Sequence, residues 1–240
     1  MKTNQSNFKV RNVFGITPKK SYQAAGWDFF IPDIKPDKYT KEEIFKYFAK
    51  SYKTTEEKIE NHFNRFEKVL LSYGKQFLFE RHKYNLLHLF LGLDGSIMRS
   101  SQNKVLTFLT YYLEETNDIE KIGINLRCND HILINSGIKV GLEPGTVGIF
   151  FNKSGKGTKG LDTRACVVDE DYTGFVHLSL AYTKDNAKDG KIMIGDKITQ
   201  MVILPVIQYS DCEELSEDEY NNLMDGSERG DGAMGSTDNK

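Results

Sequence analysis

Five short stretches hold the residues able to do chemistry on a charged ligand. Val167 and Val168 lead into Asp169-Glu170-Asp171-Tyr172-Thr173-Gly174, a β-branched run that ends on a turn glycine. Asp169 is suited to act as a general base if it is held near a water. Tyr172 carries a ring that could cover a flat ligand. A turn aspartate and a structural tyrosine would account for the same pattern. Lys153-Ser154-Gly155 offers a cation, a hydroxyl and an amide without side-chain obstruction, which suits an anion-binding nest. A solvated lysine loop is the competing reading, and Lys156 and Lys159 add charge nearby. Close to the end, Arg229-Gly230-Asp231-Gly232-Ala233-Met234-Gly235-Ser236-Thr237 sets a guanidinium and two hydroxyls among glycines whose amides could wrap a phosphate. Its composition is that of a segment disordered alone, which ordering over a ligand would turn into a lid. The other two stretches are Ala25-Gly26-Trp27-Asp28-Phe29 and Gly195-Asp196-Lys197-Ile198-Thr199-Gln200. There Asp28 can be a turn or capping residue, and Gly195-Asp196 a turn ahead of a strand.

Two textures alternate along the chain and must position these groups. Residues from about 40 to 116 read as helices. Thr40-x-x-Glu43 and Thr54-x-x-Glu57 are capping-box patterns, each ahead of apolar residues spaced by three or four. Gly74 is a stop, a third helix spans about Gln76 to Leu91, and a fourth about Ser101 to Glu115. Their aromatic stripes read as core packing rather than a partner groove. After Asn129 the period switches to two, with strands around Ile132–Ile134, Ile138–Val140, Val147–Phe151, Val176–Leu180 and Met201–Ile207. Many short strands broken by glycine turns suggest a sandwich or barrel.

Composition excludes several classes. A formal net charge of −2 over 240 residues argues against a nucleic-acid coat binder. No apolar run is long enough to span a membrane, and the first residues lead into no secretory apolar region. Cys128, Cys166 and Cys212 are odd in number and unpaired in spacing, so a reducing cytoplasmic setting is expected. His62, His82, His88, His131 and His177 show no metal-ligand spacing. The carboxylate pairs Glu57/Glu60 and Glu115/Asp118 read as solvated helix faces.

Taken in order, the five stretches resemble the five motifs of the trimeric dUTPase family. The resemblance covers roughly residues 20–32 and 132–240. It implies a mainly β fold, a distorted jelly-roll β-barrel or sandwich of the dUTPase type. About a hundred residues separate the first motif from the Ile134-Asn135-Ser136-Gly137-Ile138 strand, where the family has a few dozen. The expected organisation is therefore a β domain of residues 1–32 and 131–240, with 225–240 as a flexible C-terminal lid, and an α-helical insertion over 33–130.

The resemblance also implies roles. Asp169 would orient the water that attacks the α-phosphorus of dUTP, giving dUMP and pyrophosphate. Tyr172 would stack under the deoxyribose and crowd out a 2′-hydroxyl, while the hairpin backbone from Thr163 to Val168 reads the uracil edge. Lys153, Ser154, Gly155 and Gln200 would contact the phosphates, and Asp28 would hold waters around a triphosphate-bound Mg2+. Arg229, Gly235, Ser236 and Thr237 would close over the phosphates, with Met234 covering the base. Two departures stand out. Lys153 replaces the usual Arg, a point charge for a planar two-pronged donor, and Met234 replaces Phe, a less rigid cover. A homotrimer is implied, with motifs one, two and four from one chain, the hairpin from a second and the tail from a third. A protein partner for the helical insertion and a cytoplasmic location (host cytoplasm for a viral source) complete the expectation.

Rival readings are a dUTPase-like regulatory protein acting through the insertion, and a related dCTP-directed enzyme. A dCTP deaminase uses a glutamate on the strand after the hairpin, and Val176 to Ala181 contains none. Arg99-Ser100-Ser101 mimics the second motif, but it precedes the Ser136-Gly137-Ile138 strand and lies among helices.

Overall fold

The computed structural model describes residues 8–72, 74, 76–93, 113–115, 122–185, 190–209, 211–223 and 225. Helix α1, Lys41–Ser51, starts at the first capping box. The Thr40 hydroxyl accepts from the Glu43 amide at 3.2 Å, and the Glu43 carboxylate accepts from the Thr40 amide at 2.9 Å. Helix α2, Glu56–Ser72, starts one residue later than the second box implies. Thr55, not Thr54, caps it: its hydroxyl accepts from the Lys58 amide and its carbonyl from that of Ile59. Gly74, with φ of 66°, follows its end. Helix α3 runs Gln76–Gly92. The fourth helix expected over 101–115 lies outside the described residues except for Leu113–Glu115, and these form strand β3 instead.

Strands β1 (Lys9–Asn12) and β2 (Trp27–Phe30) precede the helices. After β3 come β4 (Ile122–Asn125), β5 (His131–Asn135), β6 (Ile138–Gly141) and β7 (Thr146–Asn152). A short helix α4 (Ser154–Gly157) leads to β8 (Leu161–Arg164), β9 (Val167–Val168) and β10 (His177–Tyr182). Strands β11 (Lys191–Met193) and β12 (Lys197–Pro205) follow. Pairings are antiparallel, in sheets ordered β1-β6, β5-β10-β8, β11-β4-β3 and β2-β12-β7-β9. This is the mainly β, distorted jelly-roll arrangement expected. Residues up to Val206 form one compact unit, and those from Ile207, with helix α5 (Glu217–Leu223), form another.

The helices do not own a separate core. Phe14, between β1 and β2, meets Phe48 of α1 edge-on at 5.9 Å and Phe175 at 5.5 Å. His88 of α3 stacks on Phe48 at 4.9 Å. Asn85 of α3 accepts from the Ile34 amide at 2.8 Å, Tyr52 donates to the Leu133 carbonyl at 3.3 Å, and Asn135 of β5 donates to the Ser51 hydroxyl. Buried polar groups are thus satisfied across the helix–sheet boundary, where an unmade bond would cost about 1–3 kcal/mol.

His88 is an exception. It is fully buried, its Nε2 has no partner, and burial first, then the nearby His177, lowers its pKa from 6.5 to about 3. The fold therefore holds neutral imidazole, and that stability is present above the unfolded value near 6.5 and lost as pH falls toward 3. Denaturant unfolding at pH 7.5 and 4.5 should show His88 contributing a loss of about 2–3 kcal/mol, at roughly 1.4 kcal/mol per unit. A His88→Phe variant should lose that much less.

Candidate active site

One sheet gathers the site. Asp28 on β2, Gln200 on β12 and Phe151 on β7 are direct cross-strand partners and share a face. The opposite face, with Phe29, Phe150 and Met201, is core. Simple alternation along β12 would send Lys197 to the core side with Thr199. Instead the register against β2 shifts between Lys197 and Thr199, and Ile198 and Thr199 are both buried. This bulge brings Lys197 round to the face of Asp28 and Gln200, a common device beside functional sites. Gly195, with φ of 80°, makes the preceding turn.

Asp28 is 8% exposed, and its carboxylate is shared by two ammonium groups. Lys153 Nζ lies 2.5 Å from Oδ1 and Lys197 Nζ 3.4 Å from Oδ2. Next to it a second pair, Lys156 to Asp196 at 2.7 Å, ties the α4 turn to the β11–β12 turn. A cleft of about 460 Å³ opens here, lined by Lys153, Lys156, Lys159, Lys191 and Lys197. Ser154, Gly155, Met193 and Asp196 complete its walls. A side chain at Gly155 would meet nothing within 4 Å of its Cβ, so the fold itself does not require glycine there.

Asn152, at the end of β7, joins the neighbouring strands to this cleft. Its side chain accepts from the Thr163 amide at 2.6 Å and donates to Asp162 at 3.0 Å, while its carbonyl accepts from Gln200 at 3.3 Å. The Thr163 hydroxyl donates to that of Thr199 at 3.1 Å. The structure therefore brings together Asp28, Lys153, Ser154, Gly155, Thr163 and Gln200. Sequence reasoning read Lys197 and Asp196 only as part of a turn and strand, and missed Lys191 and Met193. The period-two pattern of Lys191-Ile192-Met193 was the available signal for the last two.

Asp169 and Tyr172 lie elsewhere and do not line the cleft. The expected hairpin over Thr163–Val168 is also corrected: β8 pairs with β10 and β9 with β7, so the segment crosses between two sheets. Ala165, with φ of 52°, turns the chain at the crossing. Val168 is buried opposite Gly148, and β9 forms the edge of its sheet. The Asp169–Gly174 turn is pinned at several points. Glu170 accepts from the Gly145 amide, Lys139 donates to the Thr173 carbonyl at 3.0 Å, and Tyr172 donates to the Phe175 carbonyl at 2.7 Å. Tyr172 packs over Gly174 yet stays 41% exposed, and partial burial raises its pKa. Phe175 in turn packs against Tyr47 of α1. Arg229, Met234, Gly235, Ser236 and Thr237 lie outside the described residues, as does Arg99.

Among the described residues no group of three or more His, Cys, Asp and Glu could hold a metal ion. Both oxygens of Asp28 face ammonium groups. Among the described residues, Asp28, expected to face Mg2+ through water, is thus engaged by lysines. No helix among the described residues is long and apolar enough to cross a membrane.

Fold and cleft together define a mainly β protein with a lysine-lined cleft beside one sheet. Comparison with known proteins gives the family. The dUTPase family model matches residues 121–238. A deoxyuridine 5′-triphosphate nucleotidohydrolase of Hahella chejuensis is 33% identical over 121 residues, covering 49% of this chain and 74% of that one. Its counterpart in Eremothecium gossypii is 33% identical over 108 residues, 45% of this chain and 65% of that one, slightly under two thirds of its length. A Staphylococcus bacteriophage 80alpha dUTPase solved with dUPNHPP superposes with a TM-score of 0.50 at 14% identity, over 97% of this chain and 99% of that one. The chain belongs to the dUTPase family, whose activity is that of a dUTP diphosphatase.

Replacing Tyr172 by Phe should cost about 1 kcal/mol of stability through the lost bond to Phe175. Faster amide exchange confined to residues 169–175 would be the accompanying signature in a hydrogen-exchange experiment.

Proposed function

We propose that this chain hydrolyses dUTP to dUMP and pyrophosphate, with the lysine cleft holding the triphosphate. The observation that carries this reading is the convergence, from three distant stretches, of Asp28 and Gln200 on one sheet face with Lys153 of the adjoining turn, beside four further lysines. Clustered ammonium groups in a partly enclosed cleft favour a ligand of several negative charges. Lys153, Lys156 and Lys159 hold the phosphate chain, and Ser154 and Gln200 add neutral donors. Water attacks the α-phosphorus, a new P–O bond forms, and the bond to the bridging oxygen breaks. Asp169 orients that water and takes its proton, and the pyrophosphate leaves against the lysines.

Asp169 and Tyr172 do not line the cleft of their own chain, and the complete site is read as composite. A second copy supplies the turn, and a third supplies the tail from Arg229 through Met234 to Thr237, in a homotrimer. Two features support this. The outer face of the β2-β12-β7-β9 sheet carries Val147, Ile149, Phe151, Val202 and Leu204, with Val167 63% exposed on β9, an apolar patch that calls for cover. The open edge of β9 leaves backbone groups available to read the edge of a uracil. Mg2+ enters as a counter-ion of the substrate rather than a resident of the protein. The helical insertion is read as residues 33–130, with the β domain resuming at residue 131, the first of β5.

Pyrophosphate release should be seen with dUTP and not with dCTP, dTTP or UTP. Asp169→Asn should lower kcat by ~10²–10⁴ while the affinity for a non-hydrolysable dUTP analogue changes little. Undiminished turnover by that variant would defeat the assignment, and ammonia release from dCTP would move the protein to the deaminase class.

A further inference from the structure

Asp28 is almost buried and sits between Lys153 and Lys197, with contacts of 2.5 and 3.4 Å. Lys153, the closer of the two, also lines the cleft, as Lys197 does. The same ammonium therefore faces two anions in turn: the protein's own carboxylate before ligand arrives, and a phosphate afterwards. We infer that Lys153–Asp28–Lys197 is an ion-pair latch that an incoming polyphosphate has to open. This deepens the phosphate-binding reading of the cleft and rests on it.

The physical consequence follows from the burial of Asp28. Drawing Lys153 toward a phosphate leaves a poorly solvated carboxylate with Lys197 as its remaining partner. Removing one partner from a buried pair is costly because the other charge stays desolvated. Binding of a bare polyphosphate is weakened by that cost. A divalent cation carried by the phosphates offsets it, because it returns positive charge to the vicinity of Asp28. Dependence on Mg2+ would then be written into the protein by Asp28, through the latch, without a protein-built metal cage. Lys197 is the positioning residue of the arrangement: the β12 bulge brings it to Asp28, where it holds the carboxylate when Lys153 moves.

Inorganic tripolyphosphate, with neither sugar nor base, tests the latch independently of the uracil reading. Its affinity for the full chain would be measured by calorimetry with and without Mg2+, for the wild type, Asp28→Asn, Lys153→Gln and the double variant. In the absence of divalent cation Asp28→Asn should bind at least tenfold more tightly than wild type, and the enhancement by Mg2+ should shrink by a similar factor. The gain should shrink in the Lys153→Gln background, because Lys153 is the closer of the two ammonium groups that the substitution releases; Lys197 accounts for the remainder. Equal or weaker binding by Asp28→Asn overturns the latch. So does a gain of the same size without Lys153, which would mean only that a negative charge had been removed from the field. Asp28→Ser serves the same cycle if the asparagine variant does not fold. Failure of the latch leaves dUTP hydrolysis standing. An intact latch in a protein that does not turn over dUTP would instead leave a polyphosphate site with a different organic group.

Discussion

A carboxylate placed on the end strand of a sheet and almost closed to water has to be paired, and much of the site's architecture serves that need. Asp28 could be satisfied by hydrogen bonds from neighbouring backbone, but in a sheet those donors are committed to the ladder. Its partners must come from side chains that arrive from outside. Lys153 comes from the turn after β7, and Lys197 from β12 only because one extra residue in that strand reverses the alternation. The cost of burying one charge thus fixes a bulge, a turn and the mouth of the cleft together. Lys156 and Asp196 repeat the device at smaller burial and keep the two turns in register.

The helical layer is bound to this arrangement by shape rather than charge. Phe14, Phe48, Tyr47, His88 and Phe175 form one aromatic group drawn from α1, α3, the β1–β2 connection and the segment before β10. Phe175 also supplies the carbonyl that receives the Tyr172 hydroxyl and lies against His177 Nδ1. Cutting out the helices would therefore open the core and loosen the Asp169 turn in the same step, so such a deletion does not isolate a second role for them. A neutral, unpartnered His88 inside that group is a weak point tolerated in the packing, and it couples the junction to acid.

Local signals in the sequence were legible where one residue governs one element. The Thr40–Glu43 box, the stop at Gly74 and the period-two strands after Asn129 all appear as expected, because capping, left-handed turns and alternation are local physics. Thr55 displaced Thr54 as a cap because both offer the same hydroxyl and tertiary packing chose the helix phase. The reading of Leu113–Glu115 as helix failed because its apolar spacing suits either state, and pairing with β4 decided it. At the site, the motif residues that converge were legible as types. The β12 bulge was not, since nothing in Lys197-Ile198-Thr199-Gln200 states which of two adjacent residues breaks the alternation. The Lys153–Asp28 pair joins positions 125 residues apart, and no local pattern can announce it.

The division of labour between the cleft and the Asp169 turn has its own logic. A base close to five lysines would lose basicity to their field, and a lysine close to a free carboxylate would be drawn from phosphate, as Lys153 already is. Keeping the turn on a separately pinned edge of the fold lets each half be preorganised without the other neutralising it. In the composite reading proposed above, the two meet when another copy docks, and the ligand's own negative charge stands between them. An exposed apolar sheet face with Asp28 and Gln200 at one end is suited to that docking. In that reading its burial would supply the association energy, with the polar end of the same face left to the nucleotide.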